Sequence, residues 1–380
     1  MNGAQNRLRI GIVFSFSKNW LGGVYYIVNL INALHFLDPD EQPELIVFFS
    51  EELSDHVAQI EYPHLALVKV DWGNVYWMYL QSWLTGKNRV MDQLLKVHHL
   101  NALYPLNDQP VSTRGNPNMI AAWFPDLQHK FYPAFFSKTQ WWLREIRLRI
   151  LLRNTAILVV SSDDVASHFR RFYKLRTDLK ISVLRFASVI DEDKLGLLEE
   201  MKIRYNLPKE YFIVSNQFHN HKNHRVVFEA LAFLKANGIF INLVVTGRFE
   251  NKGNEKYIID LKHIIQENRL EDQIHFLGVI PRTDQLTIMK NSIAVLQPSL
   301  FEGWSTVIED AMALQVPVIA SNLPVNNEQL AEHGFYFDPH NAQSLATHMR
   351  SFLTNRPVVA YEPNPDRIKR FAKEFIRLFE

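Results

Sequence analysis

QPSLFEGWSTVIEDAMALQVPVIAS, residues 297–321, decides the fold class. An apolar run from Ile293 to Leu296 ends in Gln297-Pro298-Ser299. A loop holding Glu302 and Gly303 follows, and then Val307, Ala311 and Leu314 recur at helical spacing before Val316 to Ala320 opens another buried strand. Strand, loop, helix and strand in that order make one unit of a parallel α/β sheet, and in open sheets of this kind ligands bind at the carboxyl edge, where the loop lies. The first turn of the helix points unpaired N–H groups into that crevice. Gly303 to Val307 is therefore a seat for phosphate, and Gly303 lets the backbone come close to it.

Two carboxylate positions bracket the seat. Glu302 precedes it, and Glu309 and Asp310 follow within a turn and a half. Thr306-Val307-Ile308-Glu309 fits a capping box, with Thr306 as the cap and Glu309 folded back onto the backbone, which leaves Asp310 to meet a ligand. A carboxylate next to a phosphate seat is favourable when it accepts hydrogen bonds from neutral hydroxyls, as a ribose diol or a sugar ring supplies.

Glu302, seven intervening residues, Asp310 and Ala-Met-Ala together resemble the Glu-x7-Glu motif of retaining glycosyltransferases of family 4. The resemblance implies the GT-B fold, two Rossmann-like doubly wound parallel-sheet domains facing across a cleft. It implies that Glu302 contacts the donor sugar, that the stretch Gly303, Trp304, Ser305 and Thr306 receives the diphosphate, and that the second acid binds the ribose. Asp310 is one methylene shorter than the motif's glutamate and Glu309 is its neighbour, so both stay candidates for that last role.

The chain has 380 residues, enough for two cores, and 41 Lys+Arg against 40 Asp+Glu leave a formal charge of +1. No general basic field marks a nucleic-acid binder, so any polyanion site is local. With no cysteine, disulfide and thiolate chemistry are excluded. The polar start and the lack of an apolar run near the roughly 20 residues of a membrane span place the protein in the cytoplasm, with peripheral contact to the inner face of a membrane as a further candidate.

Residues 1–190 read as a first domain of alternating strands and helices, 200–364 as a second, and 365–380 as a helix that the GT-B resemblance returns to the first. Leu8 to Ser15 is the first strand, followed by a loop with Gly22 and Gly23 and a helix from Val24 to about Phe36. The glycines lack the G-x-G-x-x-G spacing of dinucleotide folds. The resemblance places them facing the donor phosphates; an ordinary tight turn is the other reading. Further expected elements include helices over Glu51 to Ile60 and Val75 to Val97, and a strand over Met119 to Trp123. After that strand the family pattern carries a His-Asp pair. Here Pro125 takes the histidine position, Asp126 is kept, and His129 is a second candidate to reach the reacting sugar or, equally, a locally bonded side chain. Lys138 to Asn154 reads as a helix whose Trp141, Trp142 and arginines suit either an interfacial face or a core helix with a solvated basic side.

The second domain opens with the strand Tyr211 to Ser215 and the loop from Asn216 to His224. The resemblance puts a diphosphate-binding arginine at Gln217 and a lysine at Lys222. Gln cannot neutralise charge, so leaving-group stabilisation leans on Lys222 and the helix at Ser305. His219, His221 and His224 straddle a loop and a helix start and make a poor metal set, and Asp38-Pro39-Asp40 and Asp191-Glu192-Asp193 read as solvated turns. The backbone around Ile280 is expected at the nucleotide base.

These readings predict a metal-independent, cofactor-free enzyme that moves a hexose, with retention, from a nucleotide-diphosphate sugar to a glycan or lipid-linked glycan in cell-surface polysaccharide synthesis. UDP-glucose is the first donor and GDP-mannose the second. Lys222, Glu302, Asp126 and His129 are the expected catalytic group. A UDP-sugar 2-epimerase of the same fold and a non-catalytic nucleotide-sugar binder are the rival readings, and incubation with donor and acceptor separates them.

Overall fold

The computed structural model describes residues 7–17, 20–73, 89–106, 119–249 and 254–380, with a few positions between 74 and 88. The chain divides into two units, one of Met1–Val189 with Asn364–Glu380 and the other of Ile190–Pro363.

In the first unit the elements run β1 (Arg9–Phe14), α1 (Leu21–Leu34), β2 (Glu44–Phe49), β3 (Leu65–Lys69), β4 (Ala102–Leu106), β5 (Met119–Trp123), α2 (Lys138–Asn154), β6 (Ile157–Val160), α3 (Asp163–Phe172) and β7 (Lys180–Val183). The seven strands form one sheet in the order β3-β2-β1-β4-β5-β6-β7, every pairing parallel. Runs such as ALYPL and ILVV are buried at every position. That is the signature of strands covered on both faces, and it accounts for continuous rather than alternating apolar sequence. The Glu51 to Ile60 stretch, expected as one helix, is one 3-10 turn, Glu51–Leu53, and one α-turn, Ser54–Val57, with Leu53 and Val57 buried. Of the helix expected over Val75 to Val97 only Arg89–Val97 is seen as a continuous helix; most of the rest lies outside the described residues.

The chain's last helix, Asn364–Ile376, belongs to this unit and lies along α1. Ile368, Phe371 and Phe375 are its buried stripe, and the Phe375 ring meets Tyr104 edge-on with centroids 5.2 Å apart.

In the second unit the order is β8 (Phe212–Ser215), α4 (His224–Ala236), β9 (Leu243–Thr246), α5 (Glu255–Glu267), β10 (Ile274–Gly278), α6 (Arg282–Lys290), β11 (Val295–Gln297), α7 (Thr306–Ala313), β12 (Val318–Ser321), α8 (Pro324–Leu330), β13 (Phe335–Phe337) and α9 (Ala342–Thr354). The parallel sheet reads β10-β9-β8-β11-β12-β13. The chain builds outward from β8 to β10, then returns to β11 beside β8 and builds the other way. The carboxyl ends of β8 and β11 therefore flank the topological switch point, where open sheets leave a crevice. Among the described residues no helix is long and apolar enough to cross a membrane.

Candidate active site

The loops that leave β8 and β11 carry the polar side chains of this crevice. Lys222 Nζ lies 2.6 Å from Glu302 Oε1, both largely covered. The same carboxylate oxygen accepts from Gln297 Nε2 at 2.8 Å, and Gln297 Oε1 accepts from Asn216 Nδ2 at 2.9 Å. Leu300 N–H donates to the His221 carbonyl at 2.7 Å, so the two loops are joined by backbone as well. Gly247 follows β9 at φ +115°, and a Cβ there would lie 2.4 Å from the Asn216 carbonyl oxygen; a glycine is needed for the β8 loop to pass.

The N-terminus of α7 offers fewer open N–H groups than the sequence suggests. Ser305, not Thr306, caps α7: its Oγ accepts from Ile308 N–H at 3.3 Å. The cap shift puts Ile308 at the third helical position and Glu309 at the fourth, so the expected capping box cannot close. Glu309 is instead buried and accepts from Gln329 Nε2 at 2.7 Å. Gln329, on α8, also takes Ser305 N–H on its Oε1 at 3.1 Å and donates to the Ser305 carbonyl at 2.9 Å. Ser305 N–H, expected to face phosphate, is thus committed elsewhere. Thr306 and Val307, which open the helix, have N–H groups with no intrahelical acceptor.

Asp310 is not left open to a diol. Its side chain is 1% exposed, and Arg282, first residue of α6, brackets it with Nη1 to Oδ2 at 2.7 Å and Nη2 to Oδ1 at 2.5 Å. Gln285, one turn on, donates to Ser215 Oγ at the end of β8. Ile280 sits half-buried in the connection from β10 to α6, and Gly278 ahead of it accepts from Gly247 N–H at 2.8 Å. Gln217 lies half-buried in the β8 loop. Of the three histidines there, His224 is fully buried, stacked on Phe218 at 4.0 Å, and burial lowers its pKa to about 3. His219 and His221 lie parallel at 5.7 Å, with His219 Nδ1 3.0 Å from Asn254 Nδ2. Burial first and the Lys222 charge second keep both below the usual imidazole range. Among the described residues no three His, Asp or Glu side chains gather as a metal set.

The remaining candidates belong to the first unit. Gly22 and Gly23 fall inside the first turn of α1 rather than in a loop, and a Cβ on Gly23 would come within 2.6 Å of the Trp20 ring. Trp20 in turn stacks on Trp123 at 5.6 Å. Asp126 Oδ1 accepts from Gln128 N–H at 2.9 Å and lies 3.4 Å from Arg144 Nη2. His129 does not reach out toward a ligand. It is fully buried, its Nε2 3.4 Å from Glu145 Oε2 on α2, with Trp141 and Phe136 edge-on to the ring. Glu145 draws it inward as part of a cluster in which Lys130 and Arg149 also donate to the carboxylate at 2.7 Å and Tyr173 at 2.8 Å. Burial lowers the His129 pKa to about 4, helped by the Arg144 charge and opposed by Glu145.

Sequence reasoning missed Gln297, Gln329 and Arg282. Gln297 had a signal, a polar residue closing a buried strand. The other two lie in elements read only for periodicity, and their roles depend on partners 24 and 28 positions away.

Residues 199–375 match the family Glycosyl transferases group 1. That match lies over the second unit and the chain's last helix, a little under half of the chain. O-antigen chain mannosyltransferase RfbU of Salmonella typhimurium is 23% identical to the chain over 305 residues, covering 78% of this chain and 71% of that one. Among solved structures, sucrose-phosphate synthase of Thermosynechococcus elongatus superposes with a TM-score of 0.67 at 16% identity, over 98% of this chain and 94% of that one. Anabaena HepE in complex with UDP-glucose superposes with a TM-score of 0.65 at 15% identity, over 98% and 96%. The likenesses to solved structures show the fold, GT-B with two parallel-sheet Rossmann-like domains, and the group 1 match together with the mannosyltransferase relative supports glycosyltransferase as the class of activity.

Proposed function

We propose that this chain transfers a hexose, with retention and without a metal, from a nucleotide-diphosphate sugar to a glycan or lipid-linked glycan of the cell surface. The observation that carries the reading is the Lys222–Glu302 pair at the switch point, beside the N-terminus of α7. A lysine and the opening N–H groups of a helix are a phosphate device: they stabilise the charge that grows on the diphosphate as the sugar–phosphate bond breaks. Glu302 then serves the sugar hydroxyls as an acceptor, and the departing phosphate takes the proton of the incoming hydroxyl on the same face. The name of the O-antigen mannosyltransferase relative moves mannose ahead of glucose as the transferred sugar.

A lipid-linked acceptor agrees with α2. Trp142, Leu143 and Ile146 are exposed apolar residues on that helix, with Arg149 and Arg153 farther along it. Trp141, expected to share the outer face, turns inward and donates to the His129 carbonyl at 2.9 Å. We place the outer apolar residues against a membrane surface.

A thermal-shift panel of UDP, GDP, ADP and CMP tests the donor, because bound ligand raises the melting temperature by mass action. A shift with UDP or GDP is expected; none with any nucleotide removes the reading. Turnover is expected to survive EDTA, and restoration by Mg²⁺ or Mn²⁺ of activity lost to the chelator overturns the metal-free mechanism.

A further inference from the structure

Two observations in the second unit fit together. Gln217 is neutral where the Glu-x7-Glu resemblance expects an arginine, and an arginine from another element, Arg282, lies at the same carboxyl edge. The hydrogen bond from Gln285 to Ser215 Oγ holds the opening turn of α6 against the end of β8, where the Gln217 loop begins. Asp310, by contrast, is not accessible: both its oxygens are bracketed, and its side chain is 1% exposed against 21% for Arg282. What a ligand meets over the second turn of α7 is thus a guanidinium. A guanidinium is always charged, only donates, and matches anionic oxygens in a planar fork. The shorter Asp310 side chain suits this, since a bidentate bracket fixes the plane of the arginine from behind.

We propose that Arg282 is the second cation of the nucleotide site, donating to the diphosphate in place of the arginine absent at Gln217, and that Asp310 positions it. The assignment rests on the reading of this unit as the binder of a nucleotide-diphosphate sugar. Lys222 holds the phosphate at the α7 N-terminus, and Arg282 approaches from the α6 side.

Calorimetric titration of UDP, GDP, uridine and guanosine separates the possibilities. Arg282→Ala is expected to weaken the diphosphate that binds by about ten- to a hundredfold, the loss of a charge-assisted pair, and to leave the matching nucleoside unchanged. Arg282→Lys, with charge but no fork, falls between. Asp310→Asn weakens the diphosphate less than Arg282→Ala does, and the double variant is no weaker than Arg282→Ala alone. Arg282 is partly exposed, so its variants remain informative if Asp310→Asn does not fold. Unchanged diphosphate affinity in Arg282→Ala, or equal loss for nucleoside and diphosphate, overturns the assignment. A wild-type chain that binds neither UDP nor GDP overturns the nucleotide reading itself and this assignment with it.

Discussion

Lys222 and Glu302 close a 2.6 Å ion pair across the seam between β8 and β11, two neighbouring strands separated by eighty residues of chain. In the absence of donor each charge has a partner, so neither is left desolvated and alone. On the proposed reading, a diphosphate takes Glu302's place on the lysine and leaves the carboxylate to the sugar hydroxyls. Lys222→Ala is therefore expected to lower both nucleotide-diphosphate affinity and turnover. Glu302→Gln removes the competing anion but keeps the hydrogen-bonding shape: nucleotide affinity should hold or rise while transfer falls. Calorimetry with the free nucleotide, read beside turnover, checks both, and a Glu302→Gln enzyme with full transfer would exclude its role at the sugar.

The sequence carried the sheet order less well than the elements. Apolar runs such as Met119 to Trp123 and the helix Lys138 to Asn154 stand in the structure with the predicted bounds, because burial from Ile120 to Trp123 and a Ser137 cap leave little freedom. The motif from Glu302 to Asp310 was legible as a site because strand, glycine loop and helix all point to the same edge. Its internal assignment was not. Ser305 and Thr306 are equally good caps by composition, and which one wins is settled by Gln329 holding Ser305 from another helix. His129 shows the same limit: a histidine near a strand end reads as catalytic until the buried Glu145 that claims it is in view.

That buried histidine has a pH signature. Its folded pKa near 4 lies below the 6.5 of an exposed imidazole, so the native state refuses a proton that the unfolded chain accepts. Stability from this group is complete above pH 6.5 and is lost as pH falls toward 4, by roughly 3 kcal/mol at about 1.4 kcal/mol per unit. His224, held at about 3 by burial, adds a loss of the same sign that opens at the same pH and extends down to about 3. His129→Phe should flatten the wild-type decline between pH 6.5 and 4.5 in denaturant titrations. An equal slope in the two proteins would show that the ring is not neutral and buried in solution.

The α2 face predicts lipid binding that depends on apolar contact as well as charge. Trp142 and Ile146 are 60% and 50% exposed one turn apart. The double change Trp142→Ser with Ile146→Ser is expected to abolish flotation with vesicles containing anionic lipid while leaving the melting temperature within about a degree, since exposed positions cost little. Wild-type protein that stays unbound to such vesicles would remove the membrane contact.

Gln329 is the most economical test of how the seat is built. One side-chain amide accepts from Ser305 N–H at 3.1 Å and donates to both the Ser305 carbonyl and Glu309 Oε1, at 2.9 and 2.7 Å, in a pocket almost closed to solvent. Replacing it with leucine keeps the volume but strands the Ser305 N–H and takes one hydrogen bond from the buried Glu309 carboxylate, and a buried group that loses its partner costs about 1–3 kcal/mol. The cost to stability is therefore expected at roughly 2–4 kcal/mol. Gln329→Glu tests the geometry separately: it can still accept from Ser305 but sets a second carboxylate against Glu309, so it should be destabilised and rescued as pH falls and one acid takes a proton. The amide holds the α7 N-terminus, which we propose receives the diphosphate, through Ser305 and Glu309. Both variants should therefore raise the donor KM through a misplaced seat, with kcat at saturating donor changing less. Loss of kcat at unchanged KM would mean that Gln329 acts on the reacting sugar and not on the helix that receives the diphosphate.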